Sequence, residues 1–157
     1  MSLEATYGQS YGQGGGARQN RDGPALDGFL AWRPRRPGLH LILGIGTGVQ
    51  GSHGDDEPCF NLPGVDCVPD FPRVYTLALL AGAEKRGRVG AVRLVAGPTH
   101  YRADGGGSAL GIQTRFEMVS PPFHRIAAVL SARGGLVWNL DRQDYRLGAI
   151  GIGLGFY

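Results

Sequence analysis

The chain has 157 residues, 28 of them Gly and 10 Pro, with 42% apolar residues and 16 Lys+Arg against 13 Asp+Glu. Collagen is excluded because Gly does not recur at every third position, and a membrane-spanning helix because no apolar run reaches about 18 residues. The net charge of +3 is almost all guanidinium, Lys85 being the single lysine, and these cations are scattered in ones and twos without a basic helix, which argues against nucleic acid as a partner.

Period-two alternation runs through nearly the whole chain and no stretch carries an i, i+3, i+4, i+7 stripe, so the chain reads as all-β. Breaks at Gly, Pro and Asp clusters predict eight strands, at about 4–12, 24–33, 38–51, 72–84, 88–102, 108–119, 123–138 and 144–157. The first is the weakest, since Ala5, Tyr7 and Tyr11 share a face with Gln9. In the third, Leu39, Leu41, Leu43, Ile45, Thr47 and Val49 oppose His40, Ile42, Gly44, Gly46, Gly48 and Gln50. The sixth sets Leu110, Ile112, Thr114, Phe116 and Met118 against Gly111, Gln113, Arg115 and Glu117. In the seventh, Ile126, Ala128, Leu130, Ala132, Leu136, Trp138 and Leu140 face away from Ala127, Val129, Ser131, Arg133, Gly135 and Asn139. The eighth alternates Ile150, Ile152, Leu154 and Phe156 with Gly151, Gly153 and Gly155. Glycine thus falls systematically opposite the apolar side. Short links follow the second, fourth and sixth strands (RPRRPG, EKRGR, SPPF), and longer or more polar ones follow the others.

With these features and the C-terminal YRLGAIGIGLGFY, the chain resembles the small eight-stranded outer-membrane β-barrel proteins of Gram-negative bacteria. The resemblance implies one domain over 1–157, an eight-stranded antiparallel up-and-down transmembrane β-barrel in the bacterial outer membrane. Its outer loops would lie at about 13–23, 53–72, 103–107 and 141–143. It further implies an assembly signal in Phe156 and Tyr157, read by the barrel assembly machinery. Other implied partners are outer-membrane lipid, lipopolysaccharide and an extracellular ligand of unassigned chemistry, with the chain itself a monomer. The opening MSLEATYGQSYGQGGG has neither the charged nor the apolar region of an export signal, so this reading takes the chain as a mature or truncated form.

A barrel of eight strands has room inside only for side chains, so small inward residues with a few larger ones are expected, and Gly fits that need. The polar residues on the inward face are Glu84, Arg93, Gln113, Arg115, Glu117, Ser131 and Arg133. Isolated buried charges cost several kcal/mol, so these are expected to pair and plug the lumen. Tyr75, Trp138, Tyr145, Phe156 and Tyr157 fall near strand ends, where aromatic girdles meet the lipid interface. Cys59 and Cys67 are expected to form a disulfide that pins the loop from His53 to Pro72, the distinctive contact surface.

Catalysis is not expected. Among His40, His53, His100 and His124, none is spaced from a Ser and a carboxylate as acyl transfer requires; Ser120 and His124 share a turn, and Ser131 has the opposite strand parity. GIGTGVQG lies inside a strand with no helix after it, so it is no nucleotide loop. The acidic positions around His53, Asp55, Asp56, Glu57, Asp66 and Asp70 read as a solvated loop, with neither metal nor cofactor expected. The alternatives are a soluble calycin-like barrel, with the apolar faces turned inward around an apolar ligand, and a lipid A-modifying outer-membrane enzyme.

Overall fold

The computed structural model describes residues 2–14, 17–32, 38–50, 73–104, 107–140 and 143–157. Its strands are β1 (Ser2–Gly14), β2 (Ala17–Trp32), β3 (Gly38–Gln50), β4 (Val74–Gly87), β5 (Gly90–Ala103), β6 (Ser108–Val119), β7 (Ile126–Leu140) and β8 (Gln143–Phe156). Each pairs antiparallel with its neighbour in the chain, and β1 closes on β8 from Leu3↔Phe156 to Gly14↔Tyr145. Closure removes the sheet edge, whose unpaired N–H and C=O groups would otherwise need water or a partner. We call the end that holds the start of β1 and the end of β8 the inner rim, and the opposite end the outer rim.

Alternation assigns the two faces of the wall. In β6, Gly111, Gln113, Arg115, Glu117 and Val119 are buried while Leu110, Ile112, Thr114, Phe116 and Met118 are exposed. A soluble barrel would bury Leu41, Leu43, Ile45, Ile112, Phe116, Leu130, Ile152 and Leu154 together; all eight are exposed, Leu41 by 84% and Ile152 by 70%. The soluble alternative is therefore overturned, because the charged face fills the interior instead.

Glycine permits this narrow interior. Strands β4 and β5 approach so closely that a Cβ on inward-facing Gly82 would meet the Leu94 carbonyl, and one on Gly97 the Leu79 carbonyl. Apolar side chains close both ends of the lumen. Ala91, Val119, Ala127, Val129 and Tyr157 cluster at the inner end, and Val74, Tyr101, Ala103, Val137, Leu140 and Leu147 at the outer end. Between them Phe29, Ile42, Leu80 and Val95 form a third cluster.

Several expectations need correction. Residues 17–23, expected in an outer loop, belong to β2, which stays paired with β1 up to Gly14↔Ala17; their Gly and Asp read as loop punctuation, yet pairing to a neighbouring strand overrides that local preference. Strand β4 extends through the EKRGR link to Gly87, leaving a turn at Arg88 and Val89. Strand β7 begins at Ile126 because His124 (φ 49°) and Arg125 (φ 73°) form a tight turn closed by Phe123 and Ile126. Two positive-φ central residues match the twist of a hairpin. Leu140 was expected outside and Asn139 inside, but the structure reverses them. Asn139 takes φ 57°, its N–H donates to Asp144 Oδ1 at 2.9 Å, and the β7–β8 register shifts between Val137 and Leu140, which turns Leu140 into the lumen. A bulge of this kind inserts a residue and inverts the alternation beyond it. Among the expected girdle aromatics, Tyr75, Trp138 and Phe156 are exposed, whereas Tyr145 and Tyr157 pack against the interior clusters. Cys59, Cys67 and the loop at 53–72 lie outside the described residues.

Candidate functional site in the barrel lumen

Just inside the cluster that closes the inner end, inward positions of β1, β4, β5 and β6 carry charge: Glu4, Glu84, Arg93, Arg115 and Glu117. Arg93, fourth residue of β5, is fully buried and serves three carboxylates from three other strands. Its Nη1 donates to Glu4 Oε2 at 2.8 Å and its Nη2 to Glu4 Oε1 at 2.9 Å. This two-pronged geometry matches the planar guanidinium to a carboxylate and is the strong form of such pairs. Nε and Nη2 donate to Glu84 Oε2 at 3.2 and 3.1 Å, and Nη1 also donates to Glu117. The second Glu117 oxygen accepts from Arg115 Nε at 2.5 Å. Arg86, partly exposed at the rim, reaches Glu84 Oε1 at 3.3 Å, and Tyr157 Oη donates to Glu4 Oε1 at 2.8 Å. Three carboxylates are thus matched by three guanidiniums. Phe29 supports the network, with the Cζ atoms of Arg93 and Arg115 lying 5.1 and 4.9 Å from its ring centroid, within cation–π range.

Farther toward the outer rim, Arg133 forms an ion pair with Asp27. The contact lacks the alignment of a hydrogen bond at Asp27 Oδ1. Gly48 makes room for the pair, because a Cβ there would collide with Asp27 Oδ1 and Arg133 Nη1. Arg133 and Arg115 are direct cross-strand partners, a like-charge arrangement that is unfavourable unless each has its own counterion. Asp27 and Glu117 are those counterions. Even so, Arg115 Nη2 and both Nε and Nη2 of Arg133 are buried without a protein acceptor.

The seven residues picked from the sequence therefore separate. Glu84, Arg93, Arg115 and Glu117 meet in one network, and Arg133 pairs with Asp27 next to it. Ser131 is buried nearby, its Oγ donating to Thr6 Oγ1 and the Gly151 carbonyl at 3.4 Å each. Gln113 is buried in the lumen, one inward position from Arg115 along β6. Sequence reasoning missed Glu4, Asp27 and the inward turn of Tyr157. A signal for the first two existed, since Glu4 is in frame with Thr6, Gly8 and Ser10, and Asp27 with Phe29 and Ala31.

The lumen arrangement holds charge, and among the described residues it sets no nucleophile beside a base. Ser131 sits inside the wall while His124 is exposed at the inner rim, its ring edge-on to Phe123 at 4.3 Å. Ser120 Oγ accepts from the Ala128 N–H at 2.9 Å and donates to the Pro121 carbonyl at 3.2 Å. Among the described residues no group of His, Cys, Asp and Glu has the disposition of a metal site.

Neither known family models nor curated proteins contain a match to this chain. Solved structures do. The crystal structure of Neisserial surface protein A is similar over 99% of this chain and 95% of that one, with TM-score 0.66 and 10% identity. Ail, the attachment invasion locus protein of Yersinia pestis, is similar over 99% and 97%, with TM-score 0.56 and 14% identity. A second structure of Ail, in complex with the heparin analogue sucrose octasulfate, gives TM-score 0.55 at 14% identity over 99% and 97%. The likeness establishes a shared fold, that of the small eight-stranded outer-membrane β-barrels.

Proposed function

We propose that this chain is a non-enzymatic transmembrane β-barrel of a bacterial outer membrane, closed by its own lumen network and in contact with the outside through its outer links. The observation that carries this reading is the reversed distribution of side chains: large apolar residues cover the outer wall while Glu4, Glu84, Arg93, Arg115 and Glu117 are buried within it. In water such a surface would be an aggregation hazard. In hydrocarbon it is the stable orientation, provided that the sheet closes and pairs its own backbone. The lumen network supports a plug, because ion pairs and the two apolar end clusters fill the space that a porin leaves to water. A surface-interaction role is supported by the fold shared with the attachment invasion locus protein.

The aromatic signal read by the assembly machinery is assigned to Phe156, which is exposed in line with Ile150, Ile152 and Leu154, whereas Tyr157 is engaged inside with Glu4. Lipid and lipopolysaccharide then surround the wall, and the loop with Cys59 and Cys67 is the contact surface for an external ligand. The test is partition and folding. The full chain refolded in detergent micelles should migrate faster on a gel before boiling than after it, and planar bilayers holding it should show no conductance above background. A chain that remains monomeric and reversibly folded in buffer without detergent would refute the membrane reading; steady conductance would refute the plug.

A further inference from the structure

The outer wall near the inner rim is not uniform. One ladder row runs Lys85, Val92, Met118, Leu130, Ile152 across β4 to β8, all exposed. Beside it the wall is hollowed into a groove of about 890 Å³, within the range of small-molecule sites. Val92, Met118, Leu130, Ile152 and Leu154 form its sides, and the small side chain of Ala128 leaves the depression between them. Lys85 stands at one end, next to the turn of Arg88 and Val89, with Val89 projecting at 91% exposure.

Among the described residues the exposed side-chain charge at this rim has one sign. The described polar residues exposed or half-exposed there include Lys85, Arg86, Arg88, His124 and Arg125, while Glu4, Glu84 and Glu117 of the same end are buried inside. Acidic side chains exposed among the described residues, Asp104 and Asp144, belong to the outer rim. In a bilayer the apolar sides of a groove give an acyl chain little beyond what neighbouring lipid gives it. Selection must therefore come from the headgroup, where Lys and Arg at the membrane surface attract anionic lipid.

Building on the membrane reading above, we infer that this groove is a binding site for an anionic glycerophospholipid, one acyl chain lying between β5 and β8 and the phosphate held by Lys85 and Arg88. Neither cation takes part in the lumen network, so both can be changed without disturbing it.

The test uses the full chain folded in micelles, with dioleoyl phosphatidylglycerol and dioleoyl phosphatidylcholine added in equal amounts and bound lipid read by native mass spectrometry. The phosphatidylglycerol adduct should exceed the phosphatidylcholine adduct roughly tenfold. Lys85→Gln with Arg88→Gln should bring the two to parity. Ala128→Leu, which fills the groove floor, should remove both adducts while the unboiled band keeps its fast migration. Excess glycerol phosphate should displace neither lipid. Equal adducts on the unaltered chain, a preference that survives the double variant, displacement by glycerol phosphate, or a dimer mass with no lipid would each overturn the proposal. If the unaltered chain never gives the fast band, the membrane reading itself fails; a folded chain without the preference sinks only the lipid site.

Discussion

Arg93→Met keeps most of the side-chain volume and strips Glu4, Glu84 and Glu117 of the cation they share. Removing one partner of a buried ion pair costs about 3–5 kcal/mol, because a charge is left without compensation. Three carboxylates depend on this guanidinium, so the upper part of that range is expected. Glu4→Gln preserves shape, removes the charge and replaces one of the two acceptor oxygens of the two-pronged pair at 2.8 and 2.9 Å by an NH2 group, leaving one prong without an acceptor. Its cost should be about 2–3 kcal/mol, as for hydrogen bonds to charged groups. The double variant decides the argument. Once Arg93 is gone, Glu4 is a stranded anion, and turning it into an amide should add little or even restore stability. The coupling between the two sites should then be about 2–3 kcal/mol, measured by equilibrium urea unfolding in micelles with tryptophan emission and gel migration as parallel readouts. Costs that add within about 0.5 kcal/mol, or an Arg93→Met cost under about 1 kcal/mol, would show that the network does not stabilise the barrel as described.

Other expectations can be checked in the same assay. Asp27→Asn removes the counterion of Arg133, whose Nε and Nη2 already lack acceptors; the loss should be about 3 kcal/mol, and a neutral result would mean that solvent reaches this guanidinium. Gly82→Val forces a side chain against the Leu94 carbonyl and should prevent the fast-migrating fold, whereas Gly28→Ala, where the nearest atom to a new Cβ is Thr47 Cγ2 at 3.4 Å, should stay within about 0.5 kcal/mol of the parent. Asn139→Val, a β-branched residue at φ 57°, should cost about 1–3 kcal/mol while Asn139→Gly is tolerated; equal effects would argue against the bulge. With Trp32 replaced by Phe, emission from the exposed Trp138 should be quenched by brominated lipids and left unquenched by acrylamide in water. The opposite pattern would place this part of the wall outside the membrane.

Which face each residue takes was legible in the sequence because alternation is a local property of an extended chain. Leu41, Ile112 and Ile152 are outside and Gly46, Gly151 and Glu117 inside as parity requires, and the glycine excess became meaningful once it fell on the inner face. The same rule carried the inward placement of Arg93, Arg115 and Arg133. It failed at Leu140, since one bulged residue inverts parity and nothing in Val137-Trp138-Asn139 announces it. At Tyr157 the girdle expectation failed and parity held, since Tyr157 is in frame with inward-facing Gly151, Gly153 and Gly155 and reaches Glu4 inside. Only the closed sheet decided which inward residues meet. Arg93 and Glu4 are 89 positions apart in the chain, and Arg133 reaches Asp27 across the lumen, contacts that depend on the stagger at which β1 joins β8. That stagger is a property of the whole barrel, so strand-by-strand patterning places each charge on the inner face, and closure alone selects its partner.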